Sequence, residues 1–126
     1  MLSRGKVHPT LPVTDIERAK KFYGETLELK LREEPAPDHL IYDAGEGTFL
    51  IVYKRPTPTT ADNTAASFVV DDVEAEVKSL KDKGVVFEEY DFPGLKTVNS
   101  IASMGKVRGA WFKDPDGNIL AVSDAA

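Results

Sequence analysis

Residues 11–24 read Leu-Pro-Val-Thr-Asp-Ile-Glu-Arg-Ala-Lys-Lys-Phe-Tyr-Gly, and residues 68–81 read Phe-Val-Val-Asp-Asp-Val-Glu-Ala-Glu-Val-Lys-Ser-Leu-Lys. Both pass from an extended apolar run into an Asp, then Ile or Val, then Glu, then a helical pattern. Asp15 matches Asp72, Ile16 matches Val73 and Glu17 matches Glu74. A second echo closes each half, where Gly47-Thr-Phe-Leu-Ile-Val aligns with Gly117-Asn-Ile-Leu-Ala-Val. The chain therefore reads as two copies of one strand–helix–strands module, and function is expected where the copies meet.

Working outward, residues 6–13 alternate as a strand and Thr14-Asp15 offers an N-cap. Helical spacing runs over 15–26, burying Ile16, Ala19 and Tyr23. A short strand at 29–34, a turn at 35–38 and a hairpin of 40–44 with 48–54 around Gly45-Glu-Gly47 complete a first module at about 6–54. The polar, Pro-rich stretch 55–64 is a linker. The second module, at about 65–123, repeats the order: a strand at 65–70, a helix capped by Asp71 or Asp72 and ending at Lys83-Gly84, and a strand at 85–90. A stretch without clear period follows over 91–105, then a hairpin of 107–113 with 118–123 around Asp114-Pro-Asp-Gly117. The predicted fold class is α+β: two tandem β-α-β-β-β modules, able to pair around a shared cleft, within a single domain, 1–126.

Composition excludes several classes. Net charge is −5 with no basic patch, so nucleic acid is not a partner. No apolar run approaches the ~18 residues that would cross a membrane, and no signal-peptide pattern is present. With zero cysteines, disulfides, thiolate metal sites and thiol nucleophiles are excluded, and a cytoplasmic location is expected.

The motifs Leu11-Pro-Val-Thr-Asp15 with Ala19-Lys-Lys-Phe-Tyr23, Phe68-Val-Val-Asp-Asp72 and Trp111-Phe-Lys-Asp-Pro-Asp-Gly-Asn-Ile-Leu120 give the chain, over its whole length, the look of the vicinal oxygen chelate superfamily. That superfamily includes glyoxalase I, the bleomycin-resistance proteins and the extradiol dioxygenases. The resemblance implies that the two modules form a curved mixed sheet around a small-molecule cleft, with helices on the outer faces, and that the chain is a homodimer. In its metal-dependent members it also implies a divalent ion held by His and Glu from the first, fourth, fifth and eighth strands. Carried over by spacing, those four positions are His8, Ile51, Ala65 and Ala121. Three are alkyl and one imidazole cannot hold a labile ion, since catalytic sites use about three protein ligands. The expectation is a metal-free and cofactor-free site.

Residues expected to meet a ligand are His8, Thr10, Phe49, Ile51, Tyr53, Ala65, Ser67, Lys96, Phe112 and Ala121. His8 reads either as a hydrogen-bonded cleft histidine or as an acid/base. Phe49 and Tyr53 either stack on a planar ligand or simply pack. His39, beside Asp38, reads as a solvated histidine. A tight final turn would pair Trp111 with Leu120, turning Trp111 to the helix and Phe112 to the cleft. The 91–105 stretch reads as a lid, with Lys96 or Arg108 meeting an anion, or as a dimer contact. The leading function is binding of a small, largely apolar molecule. The alternative is a superfamily enzyme of lyase, isomerase or dioxygenase type, either metal-free with His8 as acid/base or with altered ligands.

Overall fold

The structure, a computed structural model, describes residues 1–125. The chain divides between Thr59 and Thr60 into two compact units. The first carries β1 (Thr10–Val13), α1 (Ile16–Lys20), β2 (Lys30–Ala36), β3 (His39–Asp43) and β4 (Phe49–Lys54). Its four strands lie in the order β1-β4-β3-β2, with β1 parallel to β4 and the other pairs antiparallel. The second carries β5 (Thr64–Val69), α2 (Val73–Asp82), β6 (Asp91–Phe92), β7 (Leu95–Val98), β8 (Ile101–Met104), β9 (Val107–Lys113) and β10 (Ile119–Ser123). Its order is β5-β10-β9-β8-β7-β6, and β5 is again parallel to its neighbour.

The sequence repeat is a repeat of one capping device. Asp15 accepts a hydrogen bond from the Arg18 N–H at 3.0 Å, and Asp72 accepts one from the Ala75 N–H at 3.1 Å. Each carboxylate satisfies a donor that the first helical turn leaves orphaned and sits at the positive end of the helix. Both helices then cover one face of their own sheet. In the first unit that face holds Leu11, Val13, Leu40, Tyr42, Leu50 and Val52, all at most 2% exposed, with Tyr23, just beyond α1, against Tyr42. Burial, with the Glu34 carboxylate nearby, pushes the Tyr42 phenol up to about 12. In the second unit Val73 and Val77 lie over Ala110, Phe112, Leu120 and Val122.

Several sequence expectations are corrected. The first strand starts at Thr10 rather than residue 6, and Val7 lies outside it, 91% exposed. The first helix gives way after Lys20 to a π-helical stretch, Lys21–Thr26. The strand predicted at 85–90 shrinks to an isolated bridge between Phe87 and Phe112. The 91–105 stretch is not a loop. It is β6, β7 and β8, which extend the second sheet as a meander.

The consequential correction concerns register. Five residues, 114–118, separate β9 from β10, so Trp111 pairs with Ala121 and Phe112 with Leu120. Asp114 shapes this turn. Its Oδ1 accepts from the Asp116 and Asn118 N–H groups at 2.9 and 2.8 Å, and its Oδ2 accepts from Asn118 Nδ2 at 2.8 Å. One residue more than a tight turn exchanges the faces of every side chain on one strand relative to the other. Phe112, expected to face a ligand, instead enters the core, 1% exposed and edge-on to Phe87 at 5.4 Å. Asp114→Ala leaves three donors without their acceptor in a buried turn. It is expected to cost about 2 kcal/mol in urea unfolding, whereas Asp116→Ala, which removes no acceptor from this set, is expected to stay within about 0.5 kcal/mol.

Candidate functional site

The face of each sheet opposite its helix holds most of the residues that the sequence offers as ligand contacts. In the first unit, parallel pairing puts Thr10 beside Ile51 and Pro12 beside Tyr53. Antiparallel pairing puts Ile41 beside Ile51 and His39 beside Tyr53. Paired residues point to the same face, so Phe49, Ile51 and Tyr53 line the middle of it. His8, just before β1, lays its ring 4.9 Å from that of Phe49. His39 stacks on Tyr53, with ring centroids 6.2 Å apart and planes 22° from parallel. A β-bulge between Leu31 and Glu33 frees Arg32 from the ladder. Its guanidinium reaches over the Phe49 ring at 5.0 Å while pairing with Asp43 at 3.1 Å. Bulges re-aim side chains in this way, and nothing in the sequence marks this one.

In the second unit, β10 puts Ala121 between Ser67 of β5 and Trp111 of β9. Ser67, Val69, Ala121 and Trp111 therefore share the bare face, and Ala65 shares it by alternation along β5. Gly109 lies two residues before Trp111 on the same face. A Cβ there would meet Met104 Cε at 3.4 Å and Trp111 Cη2 at 3.6 Å, so the glycine makes room for both side chains over the strand. Tyr90 meets the Trp111 ring edge to face at 5.5 Å, and Phe92 stacks on Tyr90 at 5.8 Å. Lys96 pairs with Asp91 and alternates to the opposite face from Thr97, away from Trp111. Arg108 also faces away, paired with Glu74 of α2 at 3.0 Å. Neither cation joins this face as the sequence predicted.

One carboxylate positions the aromatic residues of the meander. Glu89 Oε1 accepts from Thr97 Oγ1 at 2.8 Å and from the Ser100 N–H at 3.1 Å, and its Oε2 accepts from Ser100 Oγ. Thr97 Oγ1 in turn accepts the Tyr90 N–H at 2.8 Å. These bonds hold Asn99 and Ser100 in the left-handed region, at φ 52° and 74°, which side chains with a Cβ seldom adopt. Bonding to Ser100 first, and to Thr97 second, holds the Glu89 carboxyl below its ordinary range.

The four positions implied as metal ligands carry one imidazole and three alkyl groups, so these residues do not fit a divalent ion. Among the described residues, no three His, Cys, Asp or Glu side chains gather as an ion would require. Thr10, Phe49, Ile51 and Tyr53 share the bare face of the first sheet, with His8 beside it; Ala65, Ser67 and Ala121 share that of the second. Sequence reasoning missed Arg32, His39, Tyr90, Phe92 and Trp111. Alternation of His39 with Ile41 could have found the histidine, and a five-residue turn would have found Trp111.

The model of the Glyoxalase/Bleomycin resistance protein/Dioxygenase superfamily matches residues 6–122. No curated protein matches the chain. Among solved structures, a glyoxalase/bleomycin resistance protein from Streptomyces sp. CB03234 is 28% identical with a TM-score of 0.64, covering 91% of this chain and 96% of that one. A glyoxalase family protein from Bacillus anthracis is 17% identical with a TM-score of 0.74, over 95% and 93%. The genomically encoded fosfomycin resistance protein FosX from Listeria monocytogenes is 15% identical with a TM-score of 0.71, over 98% and 92%. At their low identities, the last two show the fold alone.

Because the Glu89 pKa is depressed in the folded chain, its contribution is complete above the ordinary carboxylate range, near pH 4.3. It is lost as pH falls through the lower folded value. Acid titration is therefore expected to change Trp111 fluorescence below about pH 4.3 before global unfolding. Glu89→Gln is expected to show the acid-like spectrum already at pH 7, and an unchanged neutral spectrum in that variant would refute the positioning role.

Proposed function

The chain belongs to the Glyoxalase/Bleomycin resistance protein/Dioxygenase superfamily, and from that membership we propose that it binds a small, largely apolar molecule against the helix-free faces of its sheets, without the metal ion of its metal-dependent relatives. The observation that carries this reading is the β9–β10 register. It puts Trp111 beside Ala121 and Ser67, so that an aromatic surface stands at a position where a metal enzyme needs a donor. A few polar groups among apolar walls are the usual make-up of a small-molecule site, and Thr10 and Tyr53 supply them on the first sheet, Ser67 on the second. No helix among the described residues is long and apolar enough to cross a membrane, and the proposed setting is the cytoplasm.

The homodimer belongs to the same proposal. β1 and β5 each stand at one end of their sheet's strand order, and strands in that place favour pairing with a second chain. A metal-free enzymatic reading is favoured by one observation: both histidines stand at the Phe49–Tyr53 face, His8 on Phe49 and His39 on Tyr53. Turnover of a bound molecule that His8→Ala abolishes without changing its Kd would select that reading.

Trp111 is the only tryptophan of the chain, which makes it a built-in reporter. Titration with flat aromatic molecules is expected to quench its fluorescence saturably, equally with chelator or with added Ni²⁺ or Zn²⁺. Ala121→Glu, which sets a carboxylate on the same face, is expected to weaken binding by about tenfold or more. Quenching that appears only with added metal would contradict the proposal.

A further inference from the structure

The meander β6–β8 has no counterpart in the first unit, and it brings Tyr90, Phe92 and Met104 to the bare face at Trp111. The rings form a graded series. Trp111 and Tyr90 are half-buried, while Phe92 is 59% exposed at the outer end. Tyr90 and Phe92 lie only 30° from parallel, so the stack has one open end, the outer face of the Phe92 ring. Offset stacking of a further ring continues this geometry without rearrangement.

The charges around the ledge decide what kind of ring fits. Glu88 alternates with Phe87, which bridges Phe112 on the core face, so it points to the face of Trp111, where its carboxylate pairs with Lys113 at 3.4 Å. Asp91 and Lys96 oppose each other on the other face. Both oxygens of Glu89 are taken up by hydrogen bonds from Thr97 and Ser100. Among the described residues, the charges that act on the Tyr90 ring are Glu88 and Lys113; they act in opposite directions and pair with each other, so the ledge offers no net charge to a cation or an anion.

We propose that Phe92, Tyr90 and Trp111 form a stacking subsite for an uncharged, flat aromatic group, with Phe92 as the residue that sets its selectivity. This rests on the reading that the second unit's bare face binds a small apolar molecule. The test titrates the full chain, followed by Trp111 fluorescence, with 2-naphthol, naphthalene-2-sulfonate and N-methylquinolinium. The neutral compound is expected to bind about tenfold tighter than either charged one. Phe92→Ala is expected to weaken it roughly three- to tenfold, and Phe92→Tyr to retain it. Phe92 is exposed, so both variants are expected to keep the wild-type far-UV spectrum. Binding of 2-naphthol that Phe92→Ala leaves unchanged overturns the subsite while leaving the broader reading intact. Tighter binding of N-methylquinolinium overturns the uncharged class. A Trp111 signal that none of the three compounds moves overturns the broader reading with it. If Phe92→Ala instead halves the mass in sedimentation without altering 2-naphthol binding, the exposed ring belongs to a contact between copies and the subsite falls.

Discussion

The turn closed by Asp114 is the constraint on which the second unit depends. Its carboxylate gathers two backbone N–H groups and the Asn118 amide across five residues. That length sets β9 against β10. Period-two alternation then leaves no freedom: Phe112 must join Leu120 and Val122 under the helix, and Trp111 must join Ala121 and Ser67 on the other side. The cost of the other register is large, because it would carry Ala110 and Phe112, both at most 1% exposed, out of the core together.

The first unit reaches a similar layout by other means. Its sheet is also built around a central strand, β4, with β1 parallel on one side and β3 antiparallel on the other. There the aromatic surface comes from Phe49 and Tyr53, each with an imidazole against it, and from an arginine released by a bulge. Both bare faces thus offer rings and small side chains. One fold serves many chemistries, and which one it serves is decided by the side chains at such positions. Here they are alkyl and aromatic.

Much of this was legible in the sequence. The Asp15 and Asp72 caps, the two central hairpins and the alternation of Leu50 and Val52 against Phe49, Ile51 and Tyr53 follow from local chemistry that acts within a few residues. What escaped depended on longer-range pairing. The bulge at Arg32 exists only because β2 meets β3 with mismatched spacing. The meander at 91–104 is held by Glu89 reaching Thr97 and Ser100, contacts that no periodicity announces. Register failed for the plainest reason: a turn one residue longer than supposed exchanged the faces of Trp111 and Phe112.

The central claim is that ligand recognition belongs to the bare face that this register creates. Two-dimensional NMR of the chain titrated with 2-naphthol tests it most directly. The account requires shifts at the Trp111 indole N–H and at the amides of Ser67, Tyr90 and Ala121, with Ala110, Phe112 and Leu120 unmoved and no divalent ion needed. Shifts centred on α2 and Phe112, or shifts that appear only after a divalent metal is added, would contradict it.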